Sequence, residues 1–282
     1  MKIGLTIPLG QYKLSTRHFY RLEMKSLIKF GHDVILIPEP LLDSYKVQRL
    51  DIPFCIIYYG INPNKRNLTE EINSLSNCKF IASETDKASN MLKEWGITKP
   101  ITKWIPPVDI NIFQHSEPLG DNIICGSRLT AIKGIDKAIQ ATDGNIDVFG
   151  DSDNIEYIKY LKSLSDNTRF HGMLNPYELR DLFSKNWLYL YPSIIASNGR
   201  MDGIPTIIQE ALAMGLQVIA SPIGGITELK HIHFVESDPS KIKEKIMCVP
   251  RELNKEGIKY VRDNFSPEIC VKSLLKDIKD YS

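Results

Sequence analysis

The sequence predicts an α/β fold made of two doubly wound parallel-sheet domains, and two observations support this prediction. Short apolar, β-branched runs alternate with longer amphipathic segments along the chain, which is typical of parallel sheets covered by helices on both faces. Residues 106–120 lack this periodicity and are rich in proline, as expected of a linker. We therefore expect a small N-terminal domain over residues 1–114 and a C-terminal domain over residues 115–282, facing each other across a cleft. We leave open whether the C-terminal helix packs back on the N-terminal domain.

Each predicted strand is a short apolar run, and each predicted helix repeats its apolar residues every three or four positions. In the first domain we expect strands at 2–7, 33–37, 54–59, 79–82 and 102–105, with helices at 16–30 and 85–95. In the second domain we expect strands at 122–125, 146–149, 168–171, 188–191, 217–220 and 232–235. Its helices are expected at 133–141, 155–164, 176–183, 207–214, 241–247, 251–264 and 267–280. Open sheets of this kind bind ligands at the carboxyl ends of their strands.

The composition excludes several classes of protein. The 282 residues are 43% hydrophobic and 24% charged with a net charge of +1, so no overall charge attracts the chain to nucleic acid. Five scattered cysteines without metal-ligand spacing are typical of free thiols in a reducing compartment, and we expect a cytoplasmic protein. No stretch of this sequence is long and apolar enough to predict a transmembrane helix.

Two carboxylates eight residues apart mark the most informative segment. Asp202 lies on the loop after a predicted strand, and Glu210 lies inside the helix that follows. The start of such a helix presents unpaired N–H groups and a positive dipole end to an anion. A carboxylate beside that anion site can accept sugar hydroxyls, and one further into the helix can accept those of a ribose. The pattern fits a sugar nucleotide, although acidic pairs at this spacing also occur on solvated helix faces.

Two cations follow the first strand of the second domain. Arg128 comes directly after the predicted strand, and Lys133 opens the next predicted helix. Near a helix N-terminus, such a pair is able to bind a diphosphate and neutralise charge that grows as a glycosidic bond breaks. The alternative is that both are ordinary surface charges.

The order of the motifs along the chain is more specific than any one of them. The blocks are Gly126-x-Arg128-x4-Lys133-Gly134, Phe149-Gly150, Phe170-x-Gly172, Tyr191-Pro192-Ser193, the segment from Asp202 to Ala220, and Gly224-Gly225-Ile226-x-Glu228. This succession resembles the C-terminal half of the retaining glycosyltransferases of family 4, within the glycosyl transferases group 1. The resemblance implies the two-Rossmann architecture called the B fold, with a donor-binding C-terminal domain and an acceptor-binding N-terminal domain.

The resemblance also implies a role for each matching residue. Arg128 and Lys133 would hold the diphosphate and Asp202 the hydroxyls of the transferred sugar, so these three are the candidate catalytic residues. The other donor-binding candidates are the ribose-binding Glu210, the backbone of Gly203, Ile204 and Thr206 beside the sugar, the backbone near Met173 beside the base, and Gly10 near the diphosphate.

Three features depart from the family's pattern. Asp202 stands where the family usually has Glu. The stretch 194–201 before it is longer than usual and adds Arg200. The family's active-site His after the third strand is absent from residues 58–62, so the resemblance assigns no acceptor-side catalytic residue.

Two further patterns leave alternatives open. Asp151 and Asp153 have the Asp-x-Asp spacing of metal-dependent transferases, but two carboxylates at a turn are usually solvated, and we expect no metal site. A basic stripe recurs every four residues on the first predicted helix, formed by Lys13, Arg17, Arg21, Lys25 and Lys29. It is either a solvated face or a contact with an anionic acceptor or an anionic membrane surface.

We therefore expect a metal-independent glycosyltransferase that uses no cofactor. It would move a sugar from a nucleotide-diphosphate donor to a hydroxyl of a carbohydrate, lipid-linked or protein acceptor, and the resemblance implies retention of anomeric configuration. Two alternatives are a sugar-nucleotide epimerase of the same fold and a non-catalytic sugar-nucleotide-binding subunit. The residues specify neither the base nor the sugar.

Overall fold

The computed structural model describes the backbone of residues 2–7, 33–38 and 56–58. It describes backbone and side chains for residues 61, 69, 72, 73, 75, 78–115 and 119–281. These residues belong to two compact units: Met1–Asp109 together with Asn264–Ser282, and Ile110–Asp263. The division falls after Asp109 rather than after residue 114, and the C-terminal segment belongs to the first unit.

The elements alternate as expected for an α/β chain. The strands are β1 (Lys2–Ile7), β2 (Asp33–Pro38), β3 (Ile56–Tyr58), β4 (Ile81–Ser83), β5 (Ile101–Lys103), β6 (Asn122–Gly126), β7 (Asp147–Phe149), β8 (Arg169–Gly172), β9 (Asn186–Tyr191), β10 (Gln217–Ala220) and β11 (His233–Phe234). The α-helices of the described residues are α1 (Asp86–Glu94), α2 (Ile135–Ala141), α3 (Ile155–Ser163), α4 (Pro176–Phe183), α5 (Thr206–Ala213), α6 (Pro239–Cys248), α7 (Lys255–Phe265) and α8 (Pro267–Tyr281). Short 3₁₀ turns occupy Ala131–Lys133 and Gly224–Glu228. The helix predicted at 16–30 lies outside the described residues.

All the described strand pairs of the first unit are parallel. Strand β1 pairs with β2, and β3, β4 and β5 form a second group in that order. Helix α8 packs on this unit through Leu274, which shares a buried cluster with Phe80, Ala82 and Trp104. The last turn of α7 is tied to the same unit because the Val108 N–H donates to the Phe265 carbonyl at 2.9 Å. Apolar burial therefore returns the end of the chain to the first unit.

The second unit contains a six-stranded parallel sheet in the order β8-β7-β6-β9-β10-β11. The chain starts at β6, moves outward to β8, and then returns to β9 on the other side of β6. Every residue of β9 is buried, as expected of a central strand covered on both faces. The sheet packs on α2 and α6 through Cys125, Val148, Leu188, Leu190, Ile219, Ile135, Ile139 and Ile242. The parallel-sheet α/β class predicted from the sequence is confirmed.

Several helix starts differ from the prediction by one to four residues, and two of these differences have a clear local cause. The helix expected at 133–141 is split, because Gly134 adopts a left-handed φ of 64° between the 3₁₀ turn and α2. The helix expected at 251–264 begins only at Lys255. There the Asn254 side chain accepts a hydrogen bond from the Gly257 N–H at 2.8 Å, which satisfies a free donor of the first turn.

Candidate functional site

The strand order has a switch point between β6 and β9, where the chain changes direction across the sheet. Ligands of doubly wound sheets bind at such a point, beside the carboxyl ends of the strands. Strand β6 ends at Gly126 and β9 ends at Tyr191. These two ends are close, because Cys125 lies opposite Leu190 in the parallel register.

A glycine brings the segment after β6 against the segment after β9. A Cβ atom at Gly134 would lie 1.9 Å from the carbonyl oxygen of Pro192, so a side chain there would prevent this approach. The Ile194 N–H also donates to the Ile132 carbonyl at 2.8 Å. Lys133, between Ile132 and Gly134, is thereby placed beside the end of β9.

Three side chains form a closed hydrogen-bonded group, which we call the Lys133 cluster: Lys133, Tyr191 and Asp202. The Lys133 ammonium donates to Asp202 Oδ1 at 2.5 Å and to the Tyr191 hydroxyl at 2.7 Å. The Tyr191 hydroxyl donates to Asp202 Oδ2 at 3.0 Å. The Lys133 and Asp202 side chains are only 16% and 15% exposed. The cluster thus holds a cation and a carboxylate at fixed positions at the switch point.

The charge balance of the cluster is unusual. Burial lowers the pKa of Lys133 below its ordinary value, and contact with Asp202 opposes that effect. The nearby guanidiniums of Arg128 and Arg200 lower the pKa further. Burial and Asp202 raise the pKa of Tyr191 well above its ordinary value, so its hydroxyl stays neutral and able to donate. Positive charge is therefore in excess around the Lys133 ammonium.

The Asp202 backbone is held by the glycine turn after β10. The Gly225 N–H donates to the Asp202 carbonyl at 3.0 Å. Gly224 has a left-handed φ of 55°, and a Cβ atom there would lie 2.1 Å from the same carbonyl oxygen. The segments after β6, β9 and β10 thereby meet at one residue, Asp202, through its carboxylate and its backbone carbonyl.

Helix α5 follows Asp202 directly. Gly203 and Ile204 are buried, and Pro205 at the N-cap gives no side-chain hydrogen bond to the first turn, which starts at Thr206. The N–H groups at this end therefore lack a side-chain cap. The first turn also contains no acidic residue, which leaves the positive end of the helix dipole uncompensated by its own side chains.

Glu210 lies one turn into α5. Burial raises the pKa of its carboxyl to about 8, so the group is largely protonated at neutral pH. Among the described residues its carboxyl has no hydrogen-bond partner. A partly buried, unpartnered carboxyl of this kind is a frequent feature of binding sites.

The remaining candidates are more scattered. Arg128 is exposed after β6 and lies close enough to affect Lys133. Met173 is 40% exposed and follows β8, at the same carboxyl edge but two strands away from β6. Gly10 lies outside the described residues. The structure therefore brings Arg128, Lys133 and Asp202 together, whereas no described contact joins Met173 to them.

Sequence reasoning did not assign Tyr191 a role, although it belongs to the Tyr-Pro-Ser motif. Its position as the last residue of a central strand was the available signal. The contact of its hydroxyl with Asp202, eleven positions later in the chain, was not visible in the sequence.

The metal and membrane expectations concern other parts of the chain. Asp151 accepts a hydrogen bond from the N–H of Ser152 at 2.8 Å, as in a turn. Within residues 78–115 and 119–281 and the shorter described segments, no group of three or more His, Cys, Asp or Glu side chains is arranged to hold a metal ion. None of the described helices is both long and apolar enough to span a membrane. The basic stripe from Lys13 to Lys29 lies outside the described residues.

The fold of the chain is that of the B-type glycosyltransferases, as comparison with solved structures shows. The crystal structure of Anabaena HepE in complex with UDP and glucose superposes with a TM-score of 0.79 at 14% identity, covering 99% of each chain. A glycosyltransferase from Rickettsia africae gives a TM-score of 0.79 at 16% identity, covering 99% of this chain and 98% of that one.

The sequence comparisons concern the second unit. Residues 123–252 match the model of the family described as Glycosyl transferases group 1. The amylovoran biosynthesis glycosyltransferase AmsK of Erwinia amylovora is 30% identical over an alignment of 118 positions, and the alignment covers 38% of this chain and 29% of the relative. The match thus spans less than a third of the relative's length. The second unit is therefore similar to the glycosyl transferases group 1 over residues 123–252, which supports the resemblance at this level. Membership of family 4 stays a prediction from the sequence.

Proposed function

We propose that the protein is a glycosyltransferase that moves a sugar from a nucleotide-diphosphate donor to a hydroxyl acceptor. The observation that carries the proposal is the Lys133 cluster at the switch point of a group 1 domain, with Arg128 beside it. Anabaena HepE, which shares the fold, was crystallised in complex with UDP and glucose, and AmsK is named for amylovoran biosynthesis. These two relatives favour a nucleotide sugar as donor and a carbohydrate as acceptor.

The donor would be bound through its charge and its hydroxyls. Arg128 and Lys133 would hold the diphosphate, with the uncapped start of α5 adding positive potential. Asp202 would accept hydroxyls of the sugar, because each carboxylate oxygen retains a lone pair after its contacts with Lys133 and Tyr191. The Glu210 carboxyl would accept hydrogen bonds from the ribose hydroxyls.

Transfer breaks the bond between the sugar's anomeric carbon and the diphosphate oxygen, and a new bond forms from the acceptor oxygen to that carbon. Negative charge grows on the leaving diphosphate, where Arg128 and Lys133 stabilise it. The acceptor proton passes to a leaving diphosphate oxygen on the same face of the sugar. We propose retention of configuration on this basis and on the basis of the family 4 resemblance.

We also propose that no metal ion is needed, since two side-chain cations and a helix start supply the positive charge. A cytoplasmic location rests on the cysteine pattern alone. Contact with an anionic membrane rests on the basic stripe alone, and both stay predictions from the sequence.

The proposal is tested by binding and turnover together. A thermal-shift panel of UDP, GDP and ADP selects a nucleotide, and calorimetry then compares it with its sugar derivatives. Asp202→Asn should spare the free nucleotide but weaken the intact donor and its transfer, whereas Glu210→Gln should weaken both ligands alike. Glu244→Gln, exposed on α6, serves as the control. EDTA should leave transfer unchanged.

Four outcomes contradict parts of the proposal. Binding without transfer would make the chain a non-catalytic sugar-nucleotide-binding subunit, and conversion of the donor sugar without an acceptor would make it an epimerase. Activity lost in EDTA and restored by Mn²⁺ would turn attention to Asp151 and Asp153. Equal loss of free nucleotide binding in Asp202→Asn and Glu210→Gln would exclude the separate sugar and ribose roles.

A further inference from the structure

The segment between Ser193 and Asp202 is a loop held at both ends. At its start the Ile194 N–H donates to the Ile132 carbonyl at 2.8 Å, and at its end the Asp202 carbonyl accepts from Gly225. Met201 is buried. The two ends are therefore anchored to the segments that follow β6 and β10, and the loop lies directly beside Lys133.

The backbone of the loop forms a hydrogen-bonded turn that ends at Arg200. The Ala196 N–H donates to the Arg200 carbonyl at 2.9 Å, and the Gly199 N–H donates to the Ala196 carbonyl at 2.8 Å. The Arg200 N–H donates to Asn198 Oδ1 at 3.1 Å. Gly199 has a φ of 78°, the left-handed conformation that such a turn requires. Both backbone polar groups of Arg200 are thus used, which fixes the position from which its side chain extends.

The Arg200 side chain itself is exposed, and among the described residues its guanidinium has no hydrogen bond or ion pair. Arg200 lies two positions before Asp202, whose carboxylate contacts the Lys133 ammonium at 2.5 Å. Among the described residues, the charges of Asp202, Arg128 and Arg200 act on that ammonium. Lys133 and Asp202 compensate each other through direct contact. Within the part of the chain that the structure describes, Arg128 and Arg200 remain as two uncompensated guanidiniums, one after β6 and one after β9.

Two uncompensated cations near a partly buried ammonium repel each other and favour an anion between them. A guanidinium binds phosphate oxygens through paired N–H groups, which a single ammonium does not reproduce. The diphosphate of a nucleotide sugar carries one ionised oxygen on each phosphate, so its two negative charges match the two positive charges of Arg128 and Arg200.

We propose that Arg200 is a diphosphate-binding residue, paired with Arg128 across the switch point. This inference rests on the proposed function. In this arrangement the Lys133 ammonium contacts both Asp202 and the leaving oxygen of the diphosphate. The guanidiniums of Arg128 and Arg200 neutralise the negative charge of the bound diphosphate. The second guanidinium, that of Arg200, is contributed by the longer loop at 194–201.

The test measures the binding of UDP, GDP or ADP, whichever stabilises the wild type most, and of the matching nucleoside without phosphates. Arg200→Gln should weaken the nucleoside diphosphate about 10- to 100-fold, the range for one charged hydrogen-bonding group, and should leave the nucleoside unchanged. The affinity of Arg200→Gln for the nucleoside diphosphate should also depend less steeply on salt concentration than that of the wild type. Arg200→Lys, which keeps the charge but loses the fork, should be intermediate and checks that the loop still folds. Arg180→Gln, which breaks an exposed pair with Asp181, should match the wild type.

The outcomes separate this inference from the proposed function. Loss of nucleotide binding in Arg128→Gln with none in Arg200→Gln would overturn the inference and leave the proposed function in place. A raised acceptor KM in Arg200→Gln with unchanged nucleotide affinity would assign Arg200 to the acceptor instead. If the wild type bound none of the three nucleotides, the inference and the proposed function would both be wrong.

Discussion

Two clusters of charged side chains in the second unit differ in their charge balance. The first, the Asp147 cluster, consists of Asp147 on β7 with Arg169 and His171 on β8. Arg169 donates to both carboxylate oxygens, at 2.8 and 3.1 Å, and His171 Nε2 lies 2.7 Å from Oδ1. Burial alone would raise the pKa of Asp147, but the bonds from Arg169 and His171 outweigh it and hold the pKa below its ordinary value.

In the Lys133 cluster, and in helix α5 that follows Asp202, the pKa shifts run toward the neutral forms. Burial, Arg128 and Arg200 lower the pKa of Lys133, and burial raises the pKa of Glu210 to about 8. The Asp147 cluster is completed by the chain's own side chains and contributes to stability. Among the described residues, the Lys133 cluster is left with excess positive charge, and Glu210 on α5 is left with an unpartnered carboxyl. A ligand can satisfy both. Charge balance therefore distinguishes the structural ion pair from the candidate binding site.

The largest expected effect is on catalysis. Lys133→Ala removes a cation that would stabilise charge growing in the transition state, so transfer should fall about 10²- to 10³-fold. Lys137→Ala is the matched control, because Lys137 lies on the neighbouring α2 and pairs with Asp136 at 3.3 Å. The rates are measured with the donor selected by the nucleotide panel. Turnover within twofold of the wild type in Lys133→Ala would exclude a catalytic role.

The second expected effect is on stability at the Asp147 cluster. Asp147→Asn removes the charge that Arg169 and His171 bind, and the free energy of unfolding should drop by about 1–3 kcal/mol with transfer unaffected. Asp181→Asn, in an exposed pair with Arg180, should change it by less than about 1 kcal/mol. Urea denaturation measures both.

The pH dependence of this effect has a definite sign. A carboxyl whose pKa is lower in the folded state stabilises the fold above its unfolded pKa of about 3.9, and this contribution is lost as the pH falls further. The difference between wild type and Asp147→Asn should therefore shrink as the pH falls from about 4 toward 3. A difference that grows in acid would contradict the assignment.

The remaining effect should have the opposite pH dependence. The folded state keeps a proton on Glu210 up to about pH 8, from an ordinary value of 4.5, whereas the unfolded chain releases it earlier. The wild type should thus lose stability relative to Glu210→Gln as the pH rises between these values, by at most about 1.4 kcal/mol per pH unit. Denaturation at about pH 5, 6.5 and 8 measures the slope. A constant difference would show that the Glu210 carboxyl is well solvated.

Much of the second unit follows from local sequence. Apolar runs predicted β6 and β9 and the helices after them, because strands buried on both faces need continuous apolar residues. The motif order placed Lys133 at the start of the helix predicted after the first of those strands, and Asp202 on the loop after the second. Their direct contact at 2.5 Å confirms only that they meet, and their roles in donor binding stay predictions.

The sequence by itself determined the strand–helix order, the parallel class and the residues that carry charge near the strand ends. These depend on periodicity and on residue type, which are local properties. Only the tertiary structure decided that Tyr191 contacts Lys133 and Asp202 and that, among the described residues, Arg200 has no ion-pair partner. It also decided that burial raises the pKa of Glu210 to about 8. Each of these depends on which distant segments pack together and how much water they exclude, since desolvation and charge proximity set pKa values.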